Sequence, residues 1–203
     1  MPTGIMQHPR MTNNCSCQFM KNVILYIAVS LDGYIADSNG SVDWIKGQNE
    51  DMEMEDTFAS FFQEVDTVVM GRKTYDQIVT QLSPNEWPYY GAITYVLTHN
   101  DDSADTECIR FRNTDICKFV EDLKSTDGKN IWICGGADIA KQLIEKDVID
   151  IYHLAIVPVI LGRGIRLFDT DAPQINLALV ETKEYNGIIE LIYEHRQPHR
   201  ISV

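Results

Sequence analysis

Short apolar runs alternate along the chain with segments of helical spacing. Residues 23–30 form a run rich in Val and Ile that ends before a turn-forming Asp32-Gly33 pair, a pattern typical of a strand buried on both faces. Similar runs recur at residues 67–70, 94–97, 131–134 and 151–157. Between them, apolar residues recur every three or four positions, at 58–65, 116–123 and 139–144. This alternation predicts a parallel sheet covered by helices on both faces.

The last quarter of the chain has a different pattern. Asn186-Gly187 lies between two strand-like runs, 177–184 and 188–196, and this dipeptide predicts a hairpin whose last strand is antiparallel to its neighbour. With a short strand at 108–111 and a helix from 72 to about 82, we expect an α/β fold of three layers. Its central sheet has about eight mostly parallel strands, an antiparallel C-terminal hairpin and four helices. No repeat or linker divides residues 21–203, so we expect one domain after a flexible extension of residues 1–20.

Composition narrows the classes of function. The chain carries 17 Lys and Arg against 30 Asp and Glu, a formal net charge of −13, which argues against nucleic acid or an anionic membrane as partner. Its apolar runs are shorter than the roughly 18 residues of a membrane span, and residues 1–20 lack the apolar core of a secretory signal. We therefore expect a cytoplasmic protein. Five cysteines without a Cys-x-x-Cys pair favour reduced thiols and predict no metal site.

Three strand ends carry residues suited to binding an anionic ligand. In open α/β sheets, ligands bind at the carboxyl ends of the strands. Gly71 is followed by two cations, a second predicted strand ends in Gly135-Gly136, and a third is followed by Thr98-His99. Taken singly, each glycine turn is as consistent with a plain strand-to-helix connection, and Thr98-His99 with a solvent-facing turn. The standard dinucleotide and P-loop glycine motifs are absent from the sequence.

Six short segments occur in an order that resembles the dihydrofolate reductase superfamily. They are residues 28–36, 42–45, 69–74, 97–99, 133–137 and 158–168. Within the superfamily, the chain most resembles the reductase domain of bacterial bifunctional riboflavin-biosynthesis deaminase-reductases. The resemblance implies a dihydrofolate reductase-like fold and an NADPH-dependent oxidoreductase whose substrate is a pyrimidine- or pterin-like heterocycle. In that branch the substrate is 5-amino-6-(5-phosphoribosylamino)uracil.

The resemblance also implies which residues bind NADPH. Ala28 and Ile35 match positions that flank the nicotinamide ring. The first phosphate-binding turn corresponds to Gly71, Arg72, Lys73 and Thr74, and the edge that meets the 2′-phosphate corresponds to Thr98 and His99. The turn under the pyrophosphate corresponds to Gly135, Gly136, Ala137, Asp138 and Ile139.

The substrate side is defined by fewer residues. Trp44 is expected to line the substrate cavity. In folate reductases a carboxylate on the helix after this Trp holds the pterin, and Glu50 or Asp51 could take that role here, unless this acidic run is a solvated helix face. Asp32 is a further catalytic candidate, with a turn residue as the alternative. His153, inside an apolar run, is expected to be a hydrogen-bonded core or interface histidine.

Two departures from the riboflavin reductases bear on the substrate. Cys134 precedes the glycine pair, where those enzymes usually have Glu, and residues 47–71 contain no Lys or Arg to hold a ribose phosphate. A non-phosphorylated heterocycle is therefore a possible substrate. Dihydrofolate reductase activity and a non-catalytic NADPH-binding or sensing module are the alternatives. Exposed Tyr or Ile side chains on the hairpin could form a homodimer contact.

Overall fold

A computed structural model describes residues 21–49, 57–100, 104–168 and 171–196. Its elements, in chain order, are β1 Val23–Ser30, β2 Tyr34–Ala36, α1 Thr57–Phe62, β3 Val65–Gly71, α2 Arg72–Gln77, a π-helical segment Ile78–Leu82, β4 Ile93–Leu97, β5 Ile109–Arg112, α3 Ile116–Lys124, β6 Asn130–Gly135, α4 Ala137–Glu145, β7 Ile151–Val157, β8 Ile165–Arg166, β9 Leu177–Tyr185 and β10 Ile188–His195.

Eight of the strands form one sheet in the order β5-β4-β3-β6-β1-β7-β10-β9. All pairs from β5 to β7 are parallel, whereas β10 runs antiparallel to both β7 and β9. Asn186 and Gly187 both have positive φ, 46° and 78°, as a tight two-residue hairpin requires. The predicted fold class, a mostly parallel sheet with an antiparallel C-terminal hairpin, is confirmed.

Two details differ from the prediction. The small antiparallel ribbon of β2 and β8 was not predicted, because strands of three and two residues are too short to show alternation. The helix predicted from 72 to about 82 is α-helical only to Gln77. It continues with π-helical geometry, and the Ser83 amide donates to the carbonyl oxygen of Ile78, five residues earlier, at 2.8 Å.

The sheet separates two cores, to which β1 contributes alternate side chains. Val23 and Leu25 belong to the core that includes α3 and α4. Ile24 and Tyr26 belong to the opposite core, which is rich in aromatic rings and includes α1. We call this second side the α1 face. No helix in the described ranges is long and apolar enough to cross a membrane.

The hairpin leaves apolar side chains exposed. Leu179 and Val180 on the edge strand β9 and Ile189 on β10 are each exposed by two fifths or more. The homodimer contact expected at the hairpin stays a prediction.

Candidate functional site

The two predicted glycine turns lie side by side at the carboxyl edge of the sheet. β3 and β6 are neighbours, so Gly71 and Gly136 approach each other at their ends. A Cβ added to Gly71 would lie 3.3 Å from Ile139 Cγ1, and one added to Gly136 would lie 3.2 Å from Thr74 Oγ1. The peptide bond between Gly135 and Gly136 is cis. Glycine at both positions lets the two turns pack closely and keeps the backbone accessible.

The cations beside these turns differ in their surroundings. Lys73 is exposed. The Nε of Arg72 donates to Asp76 Oδ1 at 2.8 Å, and the guanidinium carbon lies 6.0 and 5.9 Å from the ring centroids of Tyr75 and Phe111. Arg72 is therefore held in a defined orientation, whereas Lys73 extends into solvent at the edge of the sheet.

The third predicted strand end, after β4, lies next to β3 on the same edge. Thr98 is buried, its amide donates to the carbonyl oxygen of Arg112 at 3.0 Å, and its Oγ1 accepts from the amide of Asn100 at 3.0 Å. His99 is exposed. Thr98 thus stabilises the turn and His99 lies exposed beside it, and the predicted role of both toward the 2′-phosphate stays a prediction.

The remaining predicted cofactor residues occupy different environments. Ala28 lies on β1 beside Ala155 of β7 and packs on the α1 face, whereas Ile35 packs against the opposite core. Ala137 begins α4, Asp138 is exposed, and Ile139 is buried against Gly71. The structure therefore brings the residues of the two glycine turns into contact, and their predicted roles toward NADPH stay predictions.

Asp32 anchors a loop. Its Oδ1 accepts from Ser30 Oγ at 2.7 Å and from the Leu161 amide at 3.1 Å, and its Oδ2 accepts from the Gly162 amide at 2.7 Å. Desolvation alone would raise the pKa of this carboxyl, but the hydrogen bonds outweigh it and lower the pKa below its usual value. Asp32 ties the end of β1 to the loop after β7, and its catalytic role stays a prediction.

Trp44 belongs to a loop that crosses the carboxyl edge. Its indole Nε1 donates to the carbonyl oxygen of Ser41 at 3.1 Å, and the ring is half-buried. The same loop accepts a hydrogen bond from Gln77 of α2 at Gly40, and Gln48 donates to the carbonyl oxygen of Asn186 in the hairpin turn. These two hydrogen bonds attach the loop to α2 and to the hairpin turn. Glu50 and Asp51 lie outside the described residues.

The sequence did not predict a buried carboxylate on the α1 face, Glu190 of β10. The side chain is completely buried, and its oxygens accept hydrogen bonds from Tyr26 Oη at 2.7 Å, Thr57 Oγ1 at 2.8 Å, Tyr185 Oη at 3.0 Å and His153 Nε2 at 3.0 Å. Burial alone would raise the pKa of Glu190, but these donors, His153 first among them, lower it to about 2. We call these five residues the Glu190 network.

One signal for this residue was present in the sequence. Glu190 lies between Ile188 and Ile192, at a position that alternation directs to the same face of the strand as those two isoleucines. His153 is buried, is hydrogen-bonded to Glu190 and stacks on Tyr26 with ring centroids 4.0 Å apart. The prediction of a hydrogen-bonded core histidine is confirmed.

Comparison with known proteins identifies the family. The model of the RibD C-terminal domain matches residues 21–189. The chain belongs to this family. The family is one of NADPH-dependent reductases, which confirms the resemblance based on the six sequence segments.

Two curated relatives come from Bacillus subtilis. The chain is 38% identical to the uncharacterized protein YwjB over 173 residues, covering 85% of this chain and 97% of YwjB. It is 33% identical to the uncharacterized protein YyaP over 193 residues, covering 90% of this chain and 98% of YyaP. The name of neither relative states a substrate.

Solved structures share the fold. A Shewanella sp. PV-4 protein assigned to riboflavin biosynthesis is 25% identical, with a TM-score of 0.72 and coverage of 87% of this chain and 99% of that one. The Thermotoga maritima deaminase/5-amino-6-(5-phosphoribosylamino)uracil reductase has a TM-score of 0.62 at 16% identity, over 87% of this chain and 57% of that one. Enterococcus faecalis dihydrofolate reductase in complex with NADP(H) has a TM-score of 0.59 at 17% identity, over 89% and 98%. The fold is therefore dihydrofolate reductase-like.

Proposed function

We propose that the protein is an NADPH-dependent reductase of a pyrimidine- or pterin-like heterocycle. The observation that carries this proposal is the contact between the two glycine turns at the ends of β3 and β6, with Lys73 and Arg72 beside them. Side-by-side turns without Cβ atoms leave backbone amides accessible to phosphate oxygens, and the cations supply the opposite charge. Although the net charge of the molecule is −13, these two cations make the turns suitable for an anionic cofactor.

The residues present suit NADPH. Gly71 to Thr74 and Gly135 to Ile139 would hold the diphosphate, and exposed His99 with Arg72 would meet the 2′-phosphate. Ala28 would border the nicotinamide, which supplies the hydride when bound. Ile35, the other residue matched to this ring, packs against the opposite core. Ala28 contributes only a methyl group, so a flat ring can approach β1 closely at this position.

We further propose that the substrate lacks a phosphate group. Residues 57–71 on and after α1 contain no Lys or Arg. Burial raises the pKa of the Cys134 thiol to about 12, which keeps it neutral beside Tyr89 Oη at 3.8 Å. A phosphate beside this stretch would meet no Lys or Arg from it, and the ionised carboxylate of Glu190 would repel it. The phosphoribosylamino-uracil intermediate is the second candidate because the Thermotoga reductase, whose fold is shared, is named for it.

The test is NADPH oxidation followed at 340 nm with dihydrofolate and with 5-amino-6-(5-phosphoribosylamino)uracil as substrates. We expect turnover of the non-phosphorylated heterocycle and little with the phosphorylated one. Faster oxidation with the phosphoribosyl compound would contradict the substrate proposal. NADPH binding without oxidation by either compound would favour the non-catalytic binding module over the enzyme.

A further inference from the structure

The Glu190 network lies in the same cross-strand row as Ala28. The register of the sheet places Ala28 of β1 opposite Ala155 of β7, and Ala155 opposite Glu190 of β10. Ala28 and Ala155 pack on the α1 face, and Glu190 reaches Thr57 of α1 from the same face. Two of the three neighbours in this row end in a methyl group, so the side chains beside the carboxylate in this row are short.

The hydroxyl groups around Glu190 are fixed as donors toward it. An ionised carboxylate can only accept hydrogen bonds, and each hydroxyl has a single proton and two lone pairs. Thr57 Oγ1 and Tyr185 Oη therefore donate to Glu190 Oε1, at 2.8 and 3.0 Å, and only their lone pairs remain for a further hydrogen bond. For the same reason His153 Nε2 carries a proton toward Oε2.

Two of the hydroxyl-bearing residues of the network are partly exposed. Glu190 and Tyr26 are buried, whereas Thr57 and Tyr185 are partly exposed. Glu190 is also the only buried acidic side chain within the four described ranges. The negative charge of the network therefore reaches a ligand through Thr57 and Tyr185 rather than by direct contact with Glu190.

We propose that Thr57 and Tyr185 form a wall of the substrate site that accepts hydrogen bonds from ligand N–H groups, and that Glu190 is the positioning residue that orients both hydroxyls. This inference rests on the proposed function for the location of the substrate beside Ala28. It selects a heterocycle that bears amino groups or a protonated ring nitrogen, and it disfavours ligands that present only acceptors or a negative charge.

A cavity on the other side of the network gives the ligand a competing location. It has a volume of about 280 Å³ and is lined by Thr57 and His153 together with Phe61 and Ile24. Tyr185 does not line it. Of the two hydroxyls, a ligand in this cavity would contact only Thr57, whereas a ligand beside Ala28 would depend on both, so Tyr185→Phe separates the two locations.

The test uses two probes of the same ring, 2,4-diaminopyrimidine and 2,4-dimethoxypyrimidine, titrated calorimetrically into the apoprotein and the NADPH-loaded protein. We expect the diamino probe to bind at least about tenfold more tightly, since one or two additional hydrogen bonds separate the probes. Thr57→Val and Tyr185→Phe should each weaken the diamino probe about tenfold and leave the dimethoxy probe unchanged. Thr57→Ser, which keeps the hydroxyl, should bind like the wild type.

Control variants and NADPH titration make each outcome decisive. Tyr193→Phe changes a tyrosine of the same hairpin that packs against the opposite core, and it should have no effect. Equal affinity for the two probes, no binding of either at millimolar concentration, or loss of binding in Thr57→Val with none in Tyr185→Phe would overturn the inference. If NADPH, followed by its fluorescence, does not bind while the probes are still discriminated, the proposed function fails and the N–H-accepting wall stands.

Glu190→Gln, checked for folding by circular dichroism, should reduce the preference for the diamino probe because its amide can donate to the two hydroxyls.

Discussion

At the scale of single residues, Glu190 shows that a sequence pattern can predict burial without predicting the hydrogen-bond partners. Its inward position on β10 was readable from the alternation, but its partners come from β1, α1, β7 and the end of β9. Three of these four contacts arise only when distant segments fold together, so no local pattern predicts them. Conversely, the buried role of His153 was predictable because the apolar residues around it in β7 imply a core position.

Glu190 should make the protein sensitive to acid. Its pKa is about 2 in the folded protein, against an ordinary value of 4.5. A lowered pKa in the folded state stabilises the fold above the unfolded value, and that contribution is lost as the pH falls from 4.5 toward 2. The shift corresponds to about 3 kcal/mol, of which about 2 kcal/mol is lost by pH 3.

Urea unfolding at pH 7 and pH 3 checks this. The drop in the free energy of unfolding between these pH values should be smaller in Glu190→Gln than in the wild type by about 2 kcal/mol. Glu194→Gln, the same substitution at an exposed position of β10, should leave the drop unchanged. An identical drop in the wild type and Glu190→Gln would show that the carboxylate is not stabilised by its four donors.

At the scale of elements, signals carried by neighbouring residues predicted the hairpin, whereas strands of two or three residues were not predicted. The hairpin was predicted from Asn186-Gly187 because turn type depends on the two residues in the turn. The ribbon of β2 and β8 was not, because its stability comes from pairing between segments about 130 residues apart. The glycine turns were predicted individually, but only the sheet order places them in contact.

The contact between the turns gives a prediction about Gly136. A side chain there meets Thr74 Oγ1 at 3.2 Å with its Cβ alone, and the γ methyl groups of valine would extend into the space above the turn. Gly136→Val should therefore weaken NADPH binding at least about tenfold, because backbone contacts to phosphate require close approach. Fluorescence titration measures the affinity, and circular dichroism checks the fold.

The control is Ala104→Val, which places the same side chain at an exposed position before β5. It should bind NADPH like the wild type. Wild-type affinity in Gly136→Val would show that the cofactor does not approach this turn.

At the scale of the whole molecule, sequence order and sheet order together define the site. The ends of β4, β3, β6 and β1 lie next to one another, although these strands are spread over more than 100 residues of sequence. The alternation of strands and helices predicted the layers. It could not predict that the loop bearing Trp44 connects α2 to the hairpin turn, because that path depends on hydrogen bonds to Gln77 and Asn186.

The net charge of the molecule is opposite in sign to the charges at one edge of the sheet. A net charge of −13 disfavours anionic ligands over most of the surface, whereas Lys73, Arg72 and His99 gather at one edge of the sheet. The central claim is that this edge binds NADPH and recognises its 2′-phosphate. A protein with this charge distribution should distinguish NADPH from NADH through those few residues.

Fluorescence titration of the wild type with NADPH and with NADH tests this claim most directly, with Lys73→Gln and Lys118→Gln as paired variants. Lys118 is an exposed lysine of α3, so the second variant removes the same charge elsewhere on the surface. We predict tighter binding of NADPH than of NADH, and a loss of about tenfold or more in NADPH affinity in Lys73→Gln, since charge-assisted hydrogen bonds contribute about 1.5 to 3 kcal/mol. Lys118→Gln should match the wild type. Equal affinity for the two nucleotides, or no binding of either at millimolar concentration, would contradict the account.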